Sequence, residues 1–421
     1  MRRADRPDGP AEQSLGWRRR LTPGRCWPPV VALLIGLIVG AVMPAAALPP
    51  RAGLCSGLTG DELTRCLYSD LDSRLRVLEG ATSPPTASPT SPTSPTTSPT
   101  TSASPSSTPS ATTTTRPAAP GGWLSGASGS EAANGSLGTW RGAPMEIVGV
   151  WIDDPAIYPF GPRIPGCGGC GEFATWTGPA DVGIAPPTWK GWNREASGCS
   201  DAFWRATAQN LRKYRAGKGT TYVRPYYEFN GDWFPHSVRR GEEATFIRAW
   251  ERVAGIFRSE FPEAKMMLGT AASGYGQRIA VADAYPQGVD VLSIDFYNEW
   301  PWCRTQGCFD AKIENGGGAN SLEDLRRLAQ SKGDPVLISE WGNAGRSRPA
   351  GSGGGGDAPA FMTAWHGWLS RHAGSGPGQV LGEVYFNIGG YDARFELYVQ
   401  GSASTVQPET AARYRSLFST S

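Results

Sequence analysis

Histidine is scarce in these 421 residues: only His236, His366 and His372 occur. No H-E-x-x-H, G-x-S-x-G or P-loop is present, which removes the commonest metalloprotease, serine-hydrolase and nucleotide-hydrolase signatures. Charge is sparse too, at 19%, and a formal net charge of +2 argues against a general nucleic-acid binder. The apolar run from Val30 to Val42 is shorter than the roughly 20 residues of a relaxed membrane span. What the chain has in abundance is glycine (55), proline (36) and aromatic residues (10%, with 16 Trp). That many aromatics excludes uniform disorder, and that much Gly and Pro excludes a plain helical bundle.

The small net charge hides an uneven distribution. Residues 1–25 carry seven Arg against three acids, the apolar run follows, and Ala45, Ala46 and Ala47 end it. A basic head, an apolar stretch and an A-x-A end are the anatomy of a secretory signal. Cleavage is expected after Ala47. The alternative is an uncleaved anchor, and residues 1–47 are then the only part to touch a membrane. Beyond them the chain holds 33 basic and 35 acidic residues. It reads as secreted, or tethered on the outer face of a membrane.

Residues 48–80 form a short unit. Thr59 and Glu62 fit a capping box, and Leu63, Leu67, Leu71, Leu75 and Leu78 recur at helical spacing. Three readings stay open for this helix, 61–79: self-association, packing on another chain, and a weakly ordered stalk base. Residues 81–115 use only Ala, Ser, Thr and Pro, a composition that builds no core and extends at roughly 3 Å per residue. Gly-rich residues 121–143 continue the tether, so the linker is read as 81–143 and the folded domain as 144–421.

Cysteine usage agrees with export. Cys26 lies in the signal; Cys55 and Cys66 flank the start of the short helix and could form a clip. Cys303 and Cys308 are close enough to pair, and Cys167, Cys170 and Cys199 form a trio that leaves one over. Cys167 and Cys170 have the spacing of half a zinc ribbon, but no second pair matches it, so disulfides rather than a metal are expected, and no cofactor.

In the large domain, strand-like segments at 145–151, 180–185, 221–228, 265–270, 289–297, 335–340 and 380–387 alternate with helical ones at 201–216, 242–259, 321–332, 358–372 and 409–418. This is the pattern of an α/β protein with a parallel sheet and crossover helices, and the length suits a (β/α)8 TIM barrel. Between 151 and 221 the pattern is too irregular for clean second and third units. A doubly wound sheet would place a Gly-rich turn after the first strand, whereas that strand ends in Trp151, Ile152, Asp153 and Asp154. Gly351–Gly356 formally matches G-x-G-x-x-G, but no strand leads into it and it reads as a flexible loop. His366 and His372, on the helix at 358–372, read as surface or packing residues.

Barrel enzymes carry their catalytic groups at the C-terminal ends of strands. Two strands here end in glutamate. One runs Arg224, Pro225, Tyr226, Tyr227, Glu228, Phe229, Asn230, Gly231, Asp232, Trp233, Phe234. The other runs Leu337, Ile338, Ser339, Glu340, Trp341, Gly342, Asn343. A single strand-end Glu commonly does no more than accept hydrogen bonds from a neighbouring Arg or loop amide. Two of them, each with aromatic flanks, are what glycoside hydrolysis needs: one carboxyl kept protonated as acid, the other free to attack the anomeric carbon. Trp233 beside the acid is a candidate sugar platform, with Trp300, Trp302 and Trp341 behind it. Asn230 and Asp232 are placed to bind sugar hydroxyls or to shape the turn at Gly231. Arg224, on the same strand face as Glu228, either orients a carboxylate inside the barrel or pairs structurally with Asp295.

At these residues the sequence resembles glycoside hydrolase family 26, retaining β-glycanases of clan A that act on β-mannan and related β-glucan or β-xylan chains. The segment around Glu228 looks like that family's strand-four acid/base motif, and Ile338 to Gly342 looks like its strand-seven nucleophile. The segment from Val289 to Tyr297 looks like its strand six. The resemblance implies Glu228 as acid/base, Glu340 as nucleophile and Tyr297 as the hydrogen-bond donor that supports it. The resemblance also implies a polysaccharide substrate, and a retaining mechanism requires carboxyls about 5–5.5 Å apart. The family's mannanases usually carry His immediately before the acid/base; here Tyr227 stands there, which weighs against a simple transfer of the mannan preference. The rival expectations are a non-catalytic carbohydrate-binding or wall-associated barrel, and an exo-glycosidase or transglycosylase of the same clan.

Overall fold

The computed structural model describes residues 122–419 apart from 154–157, 165–168, 187, 190, 273–278, 316–319, 348–352 and 390–393. The expected signal, the helix at 61–79 and the Ala/Ser/Thr/Pro tract lie outside the described residues.

Eight parallel strands close into a barrel in chain order. They are β1 (Leu124–Ser128), β2 (Val148–Ile152), β3 (Ala180–Ile184), β4 (Thr221–Pro225), β5 (Lys265–Ala271), β6 (Val291–Asn298), β7 (Val336–Asn343) and β8 (Val380–Tyr385). β8 pairs back onto β1, with Leu124 opposite Gly382 and Ala127 opposite Tyr385. The short helices α1 (Ser130–Ala133) and α2 (Ser136–Arg141) follow β1, and α3 (Trp192–Ala196) and α4 (Asp201–Arg215) follow β3. α5 (Glu243–Glu260) follows β4, α6 (Gln306–Asn315) and α7 (Leu322–Lys332) follow β6, α8 (Pro359–His372) follows β7 and α9 (Pro408–Phe418) closes the chain. The helices form where a stripe of apolar residues needs cover. In α5 the buried face is Phe246, Ala249, Trp250, Val253, Ala254 and Phe257. α7 starts where the Ser321 hydroxyl accepts from the Asp324 amide, and ends at Gly333 in the left-handed region, φ 87°.

The barrel starts at Leu124, inside the stretch read as tether. Gly126 looks like linker composition but is a packing glycine: a Cβ there would lie 1.9 Å from the Ile147 carbonyl oxygen, so only glycine lets β1 press against the chain entering β2. With β1 counted, the strands ending near Glu228 and Glu340 become the fourth and seventh. The irregularity expected in the second and third units is confined to the β2–β3 crossover, which has no helix among the described residues, while α3 and α4 serve the third. After β5 the described residues hold only a 3-10 turn, Val281–Ala284.

Side chains alternate along the strands. Ile147, Tyr222, Met267, Val291, Leu337 and Val384 cluster together, while Val148, Val150, Val182, Val223, Leu268, Leu292, Ile294 and Ile338 join the larger core that holds the helices. In β7 the alternation breaks. The register slips between Ile338 and Glu340, so that Asp295 of β6 pairs with Glu340 although Ile294 pairs with Ile338. Ser339 is the extra residue, its hydroxyl bonded to that of Ser293 at 2.7 Å. This bulge turns Ser339 and Glu340 to the same side and sends Trp341 back out to the helices.

Candidate active site

Both glutamates stand at the C-terminal end of the barrel, each delivered by a local irregularity. β4 stops at Pro225, which has no N–H to continue the ladder. The next residues turn sharply: Tyr226 and Glu228 both have positive φ, 56° and 51°. Non-glycine residues in that region are strained, and the strain concentrates where a side chain must be aimed. Glu228 therefore sits on the turn after β4 rather than on a strand reaching 228. Glu340 is aimed by the β7 bulge.

The environments of the two carboxyls differ. Glu228 is 9% exposed and, among the described residues, accepts a hydrogen bond from Trp233 Nε1 to Oε2 at 2.6 Å. Burial, then the charge of Glu340, push its pKa up to about 8, against smaller opposing effects of Trp233 and Arg224. Glu340 has three donors: Tyr297 Oη to Oε2 at 2.8 Å, Arg224 Nη1 to Oε1 at 3.1 Å and Trp151 Nε1 to Oε1 at 3.2 Å. Both carboxyls are buried; among the described residues one has a single donor and the other has three.

Beneath them lies an ionic layer. Arg224 is fully buried; its Nε donates to Asp181 Oδ1 at 2.8 Å and its Nη1 to Asp295 Oδ2 at 3.1 Å, besides Glu340. Burial pushes both aspartates up from the usual carboxylate range, with Arg224 opposing. Asp153, just after β2, accepts the Tyr227 hydroxyl at 3.0 Å; burial is the main reason its pKa rises to about 6, and the charge of Glu340 adds to it. His236 lies behind Tyr227, Nε2 to the Tyr227 carbonyl at 2.9 Å, and burial lowers its pKa to about 4, so the ring is neutral near pH 7.

The structure brings Glu228, Glu340, Tyr297, Trp233 and Arg224 together, and separates others. Trp341 is not a platform: it is fully buried, donates to Glu383, and packs on Trp365 and Tyr385 at ring distances of 5.2 and 4.7 Å. Asn230 does not face a sugar either. It is fully buried, and its side-chain amide clasps the Ala271 backbone, donating to the carbonyl and accepting from the N–H, both at 2.9 Å. Arg224, likewise fully buried, acts on carboxylates instead of binding substrate directly. Asp232 is exposed on the turn. A Cβ on Gly231 would meet the Trp233 ring at 2.5 Å, so the glycine leaves room for that indole.

Trp300 and Trp302 are half-buried on the loop after β6, their rings edge to face at 4.8 Å. The Cys303–Cys308 disulfide closes that loop and the Asn298 side chain grips Cys303 at both backbone N–H and C=O. Cys170 is also disulfide-bonded. Residues 353–356 are fastened to this loop instead of hanging free: Trp300 N–H donates to the Gly353 carbonyl at 2.9 Å, and a Cβ on Gly355 would meet Trp302 at 2.4 Å. His366 packs edge-on between Trp123 and Phe418, and His372 lies against Trp368. Among the described residues no group of three His, Cys, Asp or Glu side chains is arranged to hold a metal.

Trp151, Asp153 and Asp181 escaped the sequence reading. Trp151 and Asp153 were visible at a strand end but carried no motif. Asp181 sits in a weak strand whose only polar interior residue it is.

Fold and site together define a (β/α)8 barrel with two carboxyls at its C-terminal mouth, similar to the glycoside hydrolases of family 26. No protein-family model matches the chain. A curated relative, endoglucanase H of Acetivibrio thermocellus, is 28% identical over 172 residues, covering 37% of this chain and 18% of that protein. The chain thus spans less than a fifth of that relative's length. Among solved structures, the catalytic domain of the Bacillus sp. JAMB-750 GH26 endo-β-1,4-mannanase superposes with a TM-score of 0.51 at 14% identity, covering 70% of this chain and 85% of that one. A Cellulomonas fimi endo-β-1,4-mannanase double mutant gives 0.50 at 17% identity, covering 70% and 71%. At such identities the likeness is one of fold.

Proposed function

We propose that the protein is a retaining glycoside hydrolase that cuts β-linked polysaccharide, of the β-mannan, β-glucan or β-xylan class, by double displacement on Glu340 and Glu228. The observation that carries this reading is the contrast between the two carboxyls: Glu228 keeps its proton up to about pH 8, while Glu340 is met by three donors. In the first step a Glu340 oxygen bonds to the anomeric carbon, the glycosidic C–O bond breaks, and the Glu228 proton passes to the leaving oxygen. Esterification removes the charge of Glu340, the second-largest cause of the raised Glu228 pKa. Glu228 then becomes the stronger acid and, as carboxylate, suits its second role. It takes a proton from water as water attacks the anomeric carbon and releases Glu340.

The reading includes export. The basic head, apolar run and Ala45–Ala47 end support it, as does a disulfide at Cys303–Cys308.

The experiment is turnover on a panel of β-mannan, β-glucan and β-xylan. Glu340→Ala and Glu228→Ala are each expected to lower kcat by about a thousandfold or more, the scale on which triad and carboxylate deletions act. Azide is expected to restore turnover in Glu340→Ala with an α-glycosyl azide product. Near wild-type activity in either variant overturns the mechanism. A spread of oligomer products marks endo cleavage, and one small sugar marks exo.

A further inference from the structure

At the C-terminal end of the barrel stands a third carboxyl that the double displacement does not use. Asp153 follows β2 by one residue and is half-buried. It stands on the nucleophile's side: Trp151, two residues earlier, donates to Glu340, and the charges of Glu340 and Arg224 are both felt at Asp153. Its Oδ1 accepts the hydroxyl of Tyr227, the residue immediately before Glu228. Asp153 is therefore linked to the acid by one peptide bond beyond Tyr227, and to the nucleophile through Trp151.

Tyr227 is itself held on every side. Its ring meets Phe234 at 5.1 Å and His236 at 5.6 Å, and the Arg224 guanidinium lies 5.8 Å from its centre. Its carbonyl is tied to His236. Gly183 and Gly269 make room for it, since a Cβ on either would lie 3.3 or 3.0 Å from Tyr227 atoms. A ring so confined delivers its hydroxyl to one place, the Asp153 carboxyl. A phenol has one proton to give, whereas a carboxylate offers about four lone-pair positions. Asp153 therefore keeps acceptor capacity beyond its bond to Tyr227, and the ring hydroxyls of a polyol are donors.

We infer that Asp153 is a substrate-contacting, specificity-determining residue, which accepts hydrogen bonds from hydroxyls of the sugar ring whose anomeric carbon faces Glu340, with Tyr227 as the residue that positions it. The inference rests on the hydrolase reading above and deepens it. Sugars of this class differ in the placing of single hydroxyls, and a half-buried acceptor held for one of them discriminates against a ring that lacks it there. A carboxylate fixed by one bond to Tyr227 has little freedom to follow a misplaced hydroxyl.

The test measures kcat/KM of wild type, Asp153→Ala and Tyr227→Phe on β-mannan, β-glucan and β-xylan, with Tm as the folding control. Asp153→Ala is expected to lower kcat/KM on the preferred glycan by about tenfold or more and to shrink its ratio over the second-best glycan by a similar factor. Tyr227→Phe removes only the hydroxyl. It is expected to move the same ratio in the same direction by a few-fold, and it carries the test where Asp153→Ala loses its fold. Wild-type turnover with an unchanged ratio in the folded variants overturns the inference alone. An equal fall on all three glycans overturns it too, since that is the mark of a purely structural residue. Absence of any wild-type turnover overturns the hydrolase reading and the inference with it.

Discussion

At the scale of a residue, the decisive quantity is the proton on Glu228. The same burial that suits it to donate also opposes folding when it ionises. Below its ordinary pKa of 4.5, folded and unfolded chains both hold the proton. Between 4.5 and about 8 the unfolded chain has released it and the folded one has not, so stability falls as pH rises through that window and levels off above it. Glu228→Gln cannot ionise, and its amide oxygen still accepts from Trp233. Its Tm is therefore expected to equal that of the wild type near the low end of the window and to exceed it by several degrees near the high end, the scale of a few kcal/mol in a domain of this size. Calorimetry of both proteins across the window checks this; a difference that stays flat with pH contradicts the assignment of the proton.

At the scale of an element, two departures from regularity place the site. The sequence pattern identified seven strands because short, nearly continuous apolar runs bounded by turn residues are what parallel strands buried on both faces require, and it found both catalytic candidates because Glu at an apolar strand end is conspicuous. It missed β1 because Ser125, Gly126, Ala127 and Ser128 are small residues, which a barrel interior under close approach requires and a linker also favours. It put Trp341 beside the substrate because adjacency in sequence to Glu340 suggested adjacency in space, and the strand alternation after the bulge sends the two side chains apart. The arginine–carboxylate layer was half legible: a pair of Arg224 with Asp295 was one of two readings left open for that arginine, but Asp181 joins from a weak strand that carries no motif. A glycine pair separates packing from linker composition. Gly126→Ala would place Cβ 1.9 Å from the Ile147 oxygen, whereas Gly135, at φ 82°, has open space around it. Gly126→Ala is expected to cost at least the 1–3 kcal/mol of an overpacked core, and Gly135→Ala only the roughly 1–2 kcal/mol of a left-handed alanine. Denaturant melts of the two variants measure both, and equal costs would return 121–143 to the status of tether.

At the scale of the whole molecule, closure of the barrel depends on that first strand. β1 pairs with both β2 and β8, so without it the sheet has two open edges whose backbone groups lack partners. It also supplies polar partners. The Ser125 hydroxyl donates to the Glu383 carboxylate, Arg141 Nη1 donates to that hydroxyl at 2.7 Å, and the Ser125 N–H donates to Glu146 at 3.2 Å. Glu383 is wholly buried, and burial raises its pKa to about 7, with Ser125, Trp341 and Arg141 opposing. A chain starting at 144 keeps only Trp341 of these three. It must bury a carboxyl stripped of two partners and expose the apolar flanks of β2 and β8. Each such loss is on the order of a few kcal/mol, and together they consume the 5–15 kcal/mol by which domains are stable. The fragment 122–421 is therefore expected to be monodisperse and to melt cooperatively, while 144–421 is expected to lack a cooperative transition and to aggregate through its open edges. Size-exclusion chromatography and far-UV circular dichroism melts of the two fragments decide it. A cooperative melt of 144–421 at the same temperature would mean that the barrel closes without β1, and the boundary would then belong at 144 after all.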